Sequence, residues 1–198
     1  MASQPKPYLK FEEYIALERK LGAKLEYYQG QVYGMSGASP AHVFIQANLG
    51  RHLGNSLDGT PCNALGSDLR VHIEASGLYT YPDVVIICGS LILDKNQAAV
   101  NPKILFEILS PTTRRYDLLG KFEHYRQIPS LDEYVLVEQD SYSIDRHCRL
   151  PGGQWQLTRY QGEEAILELA SVNVHVPLKQ IYAGVPFHLA EKSPETTL

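Results

Sequence analysis

Tyr81-Pro82-Asp83-Val84-Val85-Ile86-Ile87, answered downstream by Lys103-Ile104-Leu105-Phe106-Glu107-Ile108-Leu109-Ser110, is the pair of runs on which the fold of this chain turns. Each is short, rich in β-branched and aromatic residues and bounded by Gly, Pro or Ser, which reads as a buried strand. Each also carries one acid where a buried strand should have none. Alternate residues of a strand share a face, so Asp83, Val85 and Ile87 point one way and Leu105, Glu107 and Leu109 share a face in the second run. If the strands are neighbours in register, the carboxylates meet. Two ionised carboxylates on an apolar surface repel and lose hydration, at a cost on the order of several kcal/mol unless a cation or protons compensate. A hard divalent cation with oxygen ligands, such as Mg²⁺, is the simplest compensation. The competing reading leaves one or both acids at strand ends, facing water.

Outward from this pair, punctuation marks further elements. Phe11, Tyr14, Ile15 and Glu18 fall at helical spacing and Gly22 ends the pattern, predicting a short amphipathic helix. Residues 24–28 and 31–35 flank Gln29-Gly30, a turn with glycine where positive φ is tolerated, so a β-hairpin follows, with Glu26 on it. Ser39-Pro40 supplies a cap and a first-turn proline, and Ile45, Leu49, Leu53 and Leu57 repeat at i+4 up to Asp58-Gly59. His42 shares roughly the face of Ile45 and Leu49, where a histidine is ordinarily a satisfied boundary residue. Residues 68–74 alternate polar and apolar, predicting a half-buried strand that Ala75-Ser76-Gly77 turns back toward the Asp83 run.

After the Glu107 run, Ser110-Pro111-Thr112-Thr113 breaks the strand and caps a helix predicted over 114–127. Leu118, Phe122 and Tyr125 face the core, and Asp117, Lys121 and His124 lie at the same spacing on an adjacent polar face. A surface ion pair between Asp117 and Lys121, worth roughly a few tenths of a kcal/mol, would explain that face. Because the helix springs directly from the Glu107 strand, its first two turns hang over the acidic pair and bring Lys121 within reach of it. Residues 133–138 read as another buried strand, 142–149 and 155–160 as a hairpin around Pro151-Gly152-Gly153, and 177–183 as a last short helix.

Composition bounds the rest. At 198 residues, with 44% hydrophobic and 20% charged residues, the chain suits one domain over 1–190, and the polar residues 191–198 are too polar to fold alone. A net charge of −4 gives no global basic field, so any nucleic-acid contact is local. Lys103, Arg114, Arg115 and Arg126 around the second acid are the one basic group that offsets this average, and a solvated helix face is the alternative account. Cys62, Cys88 and Cys148 are scattered and form no CxxC pair, which indicates neither a disulfide framework nor a zinc knuckle. Cys88 reads as a core residue. The first residues lack an apolar signal core and no apolar run reaches about 18 residues, so a reducing cytoplasm and no membrane are expected. Seven histidines include no HExxH, and Gly-X-Ser-X-Gly and a phosphate-binding glycine loop are absent.

With the acids and the lysine laid out, the chain resembles the large bacterial family of uncharacterised "putative restriction endonucleases" that carry the PD-(D/E)XK nuclease fold. The likeness runs from the Tyr14 helix through Glu26 and Gly30 to Ile181-Tyr182. It is sharpest at Tyr81-Pro82-Asp83-Val84-Val85, at Glu107-Ile108-Leu109-Ser110-Pro111 and at Asp117, Lys121 and Tyr125. The resemblance implies an α/β (α+β) domain: a restriction-endonuclease-like mixed sheet flanked by helices, with an N-terminal helix and hairpin and a C-terminal β extension. It implies Asp83 and Glu107 as metal ligands, with the Ile108 carbonyl as a third. One departure matters. The nuclease pattern places a lysine two residues after the second acid, and here that residue is Leu109, so Lys121 looks like the displaced substitute.

The first expectation is therefore a Mg²⁺-dependent endonuclease, with Mn²⁺ as substitute, that hydrolyses phosphodiesters in DNA. Asp83 and Glu107 hold the metal, and Lys121 orients the attacking water, working better if the site lowers its pKa. His42 and Tyr125 are accessory positioning groups, and Glu26 adds an oxygen ligand or orients a metal-bound water from the hairpin, with an exposed strand glutamate as the alternative account. Cutting both strands at one site calls for a two-fold homodimer. The second expectation, from another class, is a catalytically inert nucleic-acid-binding or regulatory module that keeps the fold and takes Leu109 at face value. A hydrolase of some other phosphoester is the third, and salt dependence separates it, since DNA binding weakens steeply with salt.

Overall fold

The computed structural model describes residues 8–35 and 37–187; the tail expected from residue 191 lies outside them. In chain order the elements are α1 (Phe11–Leu21), the hairpin β1 (Leu25–Tyr28) and β2 (Gln31–Gly34), α2 (Pro40–Leu57), and the strands β3 (Cys62–Gly66), β4 (Val71–Ile73), β5 (Leu78–Thr80), β6 (Val84–Cys88) and β7 (Ile104–Ile108). A π-helical segment (Tyr116–Lys121) continuing into α3 (Phe122–Tyr125) follows. Then come β8 (Glu133–Val137), β9 (Ser143–Arg149), β10 (Trp155–Gln161), β11 (Ile166–Leu169), β12 (Val174–Pro177) and α4 (Leu178–Ile181).

Six strands form the central sheet in the order β10-β9-β8-β7-β6-β3, in which only β7 and β8 are parallel. The expected mixed sheet flanked by helices is thus present. Its inner strands read as continuous apolar runs because both faces are covered. On one face Val84, Ile86, Ile104, Phe106, Val135 and Val137 pack against Ile45, Leu49 and Leu53 of α2, the pair β11–β12 and α4. On the other, Val85, Ile87, Leu105, Leu109 and Tyr134 pack against Tyr125, Ile128 and Leu131. The second sheet, β2-β1-β5-β4, carries α1 through the cluster of Tyr14, Leu25, Tyr27 and Tyr79.

Several local signals act as expected. Gln29 and Gly30 both take positive φ, 47° and 77°, the paired left-handed turn that matches strand twist in a two-residue hairpin. Ser39 caps α2 by accepting from the His42 N–H at 3.1 Å. Gly22 ends α1 in the left-handed conformation.

Other expectations need correction. The strand expected over 68–74 is confined to Val71–Ile73, because the chain before it turns, with the Leu69 N–H donating to the Gly66 carbonyl at 3.2 Å. It does not return directly to the Asp83 strand either. β4 pairs with β5, and Pro82, which has no N–H, separates β5 in one sheet from β6 in the other. The cysteines are not all unpaired: Cys62 and Cys88 are opposed in the β3–β6 ladder and form a disulfide, with Cα atoms 3.9 Å apart. β3 carries little strand propensity of its own, so nothing in the spacing set the two against each other. The reducing-compartment reading loses the support it drew from scattered cysteines. Among the described residues no helix is long and apolar enough to cross a membrane.

The helix expected over 114–127 departs most. Helical residues begin at Arg114 behind the Ser110 cap, but from Tyr116 to Lys121 the turn widens to π before α3 resumes. Asp117, Lys121 and Tyr125 are then all buried, while Leu119 faces solvent and Leu118 and Phe122 are half-buried. The adjacent polar face is turned inward, as the reading that brings Lys121 to the acids requires and the surface ion pair does not, and π turns recur at functional sites.

Candidate functional site

The register of β6 and β7 brings the two acids together. Val84 pairs with Phe106, and Asp83, the residue before β6, donates its N–H to the same Phe106 carbonyl at 3.0 Å, one residue off the register, so Asp83 lies at the end of the ladder beside Glu107. Both are buried, 7% and 4% exposed. The reading that left them in water does not hold.

Asp83 is held on both oxygens. Its Oδ2 accepts the Ile108 N–H at 2.7 Å and its Oδ1 lies 3.0 Å from His42 Nε2. Gln46, one helical turn beyond His42, donates to the Asp83 carbonyl at 2.9 Å. The amino-terminal face of α2 thus clasps this residue through an i, i+4 pair. Backbone groups of alternate strand residues point to the same neighbour, so Ile108 turns its peptide toward the Asp83 side, where β6 has ended.

Glu107 meets a different environment. Its Oε1 accepts from Tyr125 Oη at 2.7 Å and from Lys121 Nζ at 3.0 Å. The same ammonium lies 3.0 Å from Glu26 Oε1 and 3.1 Å from Asp117 Oδ1. Thr80 Oγ1 donates to Glu26, and Tyr134 Oη donates to the Asp117 carbonyl at 2.9 Å. Lys121 therefore reaches the acidic pair from the π turn, and Leu109, in the position where the nuclease pattern has lysine, packs in the core.

Charge in this cluster does not balance. One ammonium faces Glu26, Glu107 and Asp117, with Asp83 next to them, and all four acids are buried. Asp117 Oδ1, though close to the ammonium, makes no aligned hydrogen bond. Burial pushes the Glu107 carboxyl well above the usual range; Lys121 opposes this, and Asp117 and Asp83 add to the rise. Burial acts against the Lys121 charge, but Glu107, Glu26 and Asp117 outweigh it and hold its pKa well above the ordinary value. The condition under which Lys121 would work better, a lowered pKa, is thus not met, and the raised pKa suits a cationic hydrogen-bond donor rather than a base.

The donor types here are those a hard cation takes. Asp83, Glu107 and the Ile108 carbonyl are all oxygen donors, and a divalent ion would relieve the surplus of buried carboxylates; the one unaligned oxygen, Asp117 Oδ1, lies beside Lys121 rather than in this set. Among the described residues, no three or more His, Cys, Asp or Glu side chains form a ready-made metal shell. The three carboxylates that do converge have the Lys121 ammonium at their centre.

Of the accessory groups, Glu26, His42 and Tyr125 all touch the cluster. Gln46, Thr80 and Tyr134 were not singled out by the sequence. The basic residues do not gather. Lys103 precedes β7 and pairs with Asp132, whereas Arg114 lies beyond the other end of the strand and pairs with Glu138. Five strand residues, about 17 Å, separate the two ends. Arg126 makes an exposed pair with Glu123 at 3.4 Å, and Arg115 is exposed.

Comparison with known proteins gives the chain its family. The chain is 37% identical over 185 residues to the uncharacterised protein slr1290 of Synechocystis sp. (strain PCC 6803), covering 93% of this chain and 97% of that one. It is 34% identical over 164 residues to the uncharacterised protein sll1609 of the same organism, covering 82% and 93%. Its backbone matches the crystal structure of a "putative nuclease belonging to DUF820" from Anabaena variabilis with a TM-score of 0.69 at 17% identity, over 90% of this chain and 98% of that one, a likeness of fold. Residues 11–178 match the Uma2 family, described as "Putative restriction endonuclease", and the chain belongs to that family.

Proposed function

We propose that this protein is a Mg²⁺-dependent endonuclease acting on DNA. The observation that carries the reading is the convergence of Asp83 and Glu107 at the end of the β6–β7 ladder, where the Ile108 N–H donates to Asp83 at 2.7 Å and Lys121 lies 3.0 Å from Glu107. Asp83, Glu107 and the Ile108 carbonyl would hold the metal, with Mn²⁺ as substitute. When bound, it supplies polarisation of the scissile phosphate and a more acidic water. His42 and the Ile108 N–H fix the Asp83 carboxylate, leaving little orientational freedom to be lost on binding. Tyr125 fixes Glu107 in the same way.

Lys121 keeps its proton, so its role is to donate a hydrogen bond to the attacking water or to a phosphate oxygen as negative charge develops there. Glu26 and Asp117 hold the ammonium in place. A two-fold homodimer belongs to this reading, and sedimentation at working concentration tests it.

Calorimetric titration with Mn²⁺, followed by a cleavage assay on mixed DNA substrates, tests the reading. The wild type binds and cuts, Glu107→Ala does neither, and Lys121→Ala binds Mn²⁺ without cutting. An unchanged cleavage rate in Lys121→Ala removes the role given to the lysine. Mn²⁺ binding by the wild type with no cleavage of any nucleic acid transfers the reading to an inert module that keeps the fold.

A further inference from the structure

Two half-exposed tyrosines rim the acidic cluster, Tyr116 at 38% and Tyr33 at 44% exposure. Tyr33 is the cross-strand partner of Glu26, and directly opposed residues of an antiparallel pair project from the same face. Its ring therefore stands beside a carboxylate that holds Lys121. Tyr116 opens the π turn with its ring centroid 5.8 Å from Lys121 Nζ. Both rings therefore border the same Lys121–Glu26 ion pair, Tyr33 from the strand side and Tyr116 from the π turn.

The Tyr116 ring has a seat made for it. A Cβ at Gly120 would come within 2.5 Å of Tyr116 Cδ2 and 2.7 Å of Cε2. Gly120 is not among the glycines of positive φ, so no backbone strain calls for glycine there. Its missing side chain is the space that the ring fills.

The same surroundings offer little to grip a duplex backbone. The chain carries −4 net charge, Lys103 and Arg114 are each paired with an acid, and they lie at opposite ends of β7. A protein that tracks regular duplex DNA needs a continuous run of phosphate contacts. A protein that holds a single strand can draw affinity from aromatic rings that stack on unpaired bases, which a duplex keeps stacked inside.

We propose that Tyr116 and Tyr33 form a stacking platform for unpaired bases at the mouth of the Asp83–Glu107–Lys121 site, which makes single-stranded DNA its ligand. This deepens the nuclease reading and rests on it for the scissile phosphate, but stacking does not require that the strand be cut.

The test is fluorescence anisotropy in Ca²⁺ with three end-labelled probes of equal length: an oligothymidylate strand, an abasic strand with the same phosphates, and a blunt duplex. The wild type binds the thymidylate strand at least about tenfold more tightly than either of the others. Tyr116→Ala weakens thymidylate binding by roughly 5- to 150-fold, the range for removal of one stacking ring, and leaves abasic binding nearly unchanged. Tyr116→Phe retains the preference, and Tyr33→Ala, on an exposed strand position, reduces it even if Tyr116→Ala fails to fold. Equal affinity for thymidylate and abasic strands, a preference for duplex, or no binding to any strand overturns the proposal. Cleavage of the same strands in Mg²⁺ separates it from the nuclease reading. A base preference without cleavage keeps the platform and removes the nuclease; cleavage without base preference does the reverse.

Discussion

Two buried ionic clusters lie on neighbouring elements, and only one balances its charges. At the first, Arg70 donates through Nη2 to Glu18 at 2.6 Å and through Nε to Tyr81 Oη at 2.8 Å, while the other Glu18 oxygen accepts the Leu25 N–H at 2.8 Å. One cation meets one anion, and the acid's oxygens are both used. That cluster ties α1 to β1 and to the connection between β5 and β6. At the second, Lys121 faces three carboxylates with Asp83 adjoining. A fold selected for stability alone would not keep such a surplus, since each uncompensated buried charge is costly. Sites where environment and charge conflict are where function is expected.

If the difference is real, matching substitutions act in opposite directions. The largest effect falls on the surplus cluster. Glu107→Gln should abolish Mn²⁺ binding and lower cleavage by roughly a hundredfold or more, since even supporting partners of a metal site are worth about 10–100-fold. In metal-free buffer the same substitution should not destabilise the protein, because Lys121 keeps Glu26 and Asp117. A clear loss of stability on urea unfolding would show that Glu107 is a structural counter-ion, and the two clusters would then be of one kind.

The balanced cluster should behave in the opposite way. Arg70→Met keeps most of the side-chain volume but leaves Glu18 buried with its cationic partner gone, and breaking a buried pair from one side costs about 3–5 kcal/mol. Urea unfolding should register that loss, while Mn²⁺ affinity of the folded protein stays as in the wild type. A change in metal affinity without a change in stability would invert the assignment.

The sequence displays these two clusters unequally. Period-two alternation marks each acid as the odd residue of a buried strand, the β6–β7 pairing brings the two strands together, and Ser39-Pro40 with its i+4 apolar residues sets α2. Lys121 is harder. A reading at 3.6 residues per turn leaves Asp117 and Lys121 open between a solvated ion pair and a reach toward the acids, and the wider turn from Tyr116 to Lys121, with both residues buried beside Tyr125, decides between them. β3 is hidden for another reason: Cys62-Asn63-Ala64-Leu65-Gly66 pairs because β6 offers it a ladder, not because its residues favour strands. With β3 hidden, so was the Cys62–Cys88 pair. Gln46 had a signal that was available, its place one turn after His42. The Glu18–Arg70 pair spans 52 residues between separate elements and leaves no local pattern.

The smallest effect is a pH dependence that isolates the surplus charge. Burial, with Asp117 and Asp83 adding to it, raises the folded-state pKa of Glu107 above the ordinary 4.5, against the opposing pull of Lys121. Such a group takes up a proton on folding. Its contribution to stability is therefore fully present below pH 4.5 and is lost as pH rises through the folded value. Glutamine has no proton to lose, so in EDTA the melting temperature of Glu107→Gln minus that of the wild type should be smallest in acid and grow toward pH 8. His52, His124 and His147, whose pKa values burial lowers, contribute stability above 6.5 that is lost as pH falls. They do so in both proteins, and to first order the subtraction removes them. A difference that stays flat from pH 5 to pH 8 would mean that the fold compensates Glu107 by itself. Saturating Mn²⁺ should reverse the sign, because a ligand at about 100 times its Kd stabilises only the protein that binds it, by about 2.7 kcal/mol.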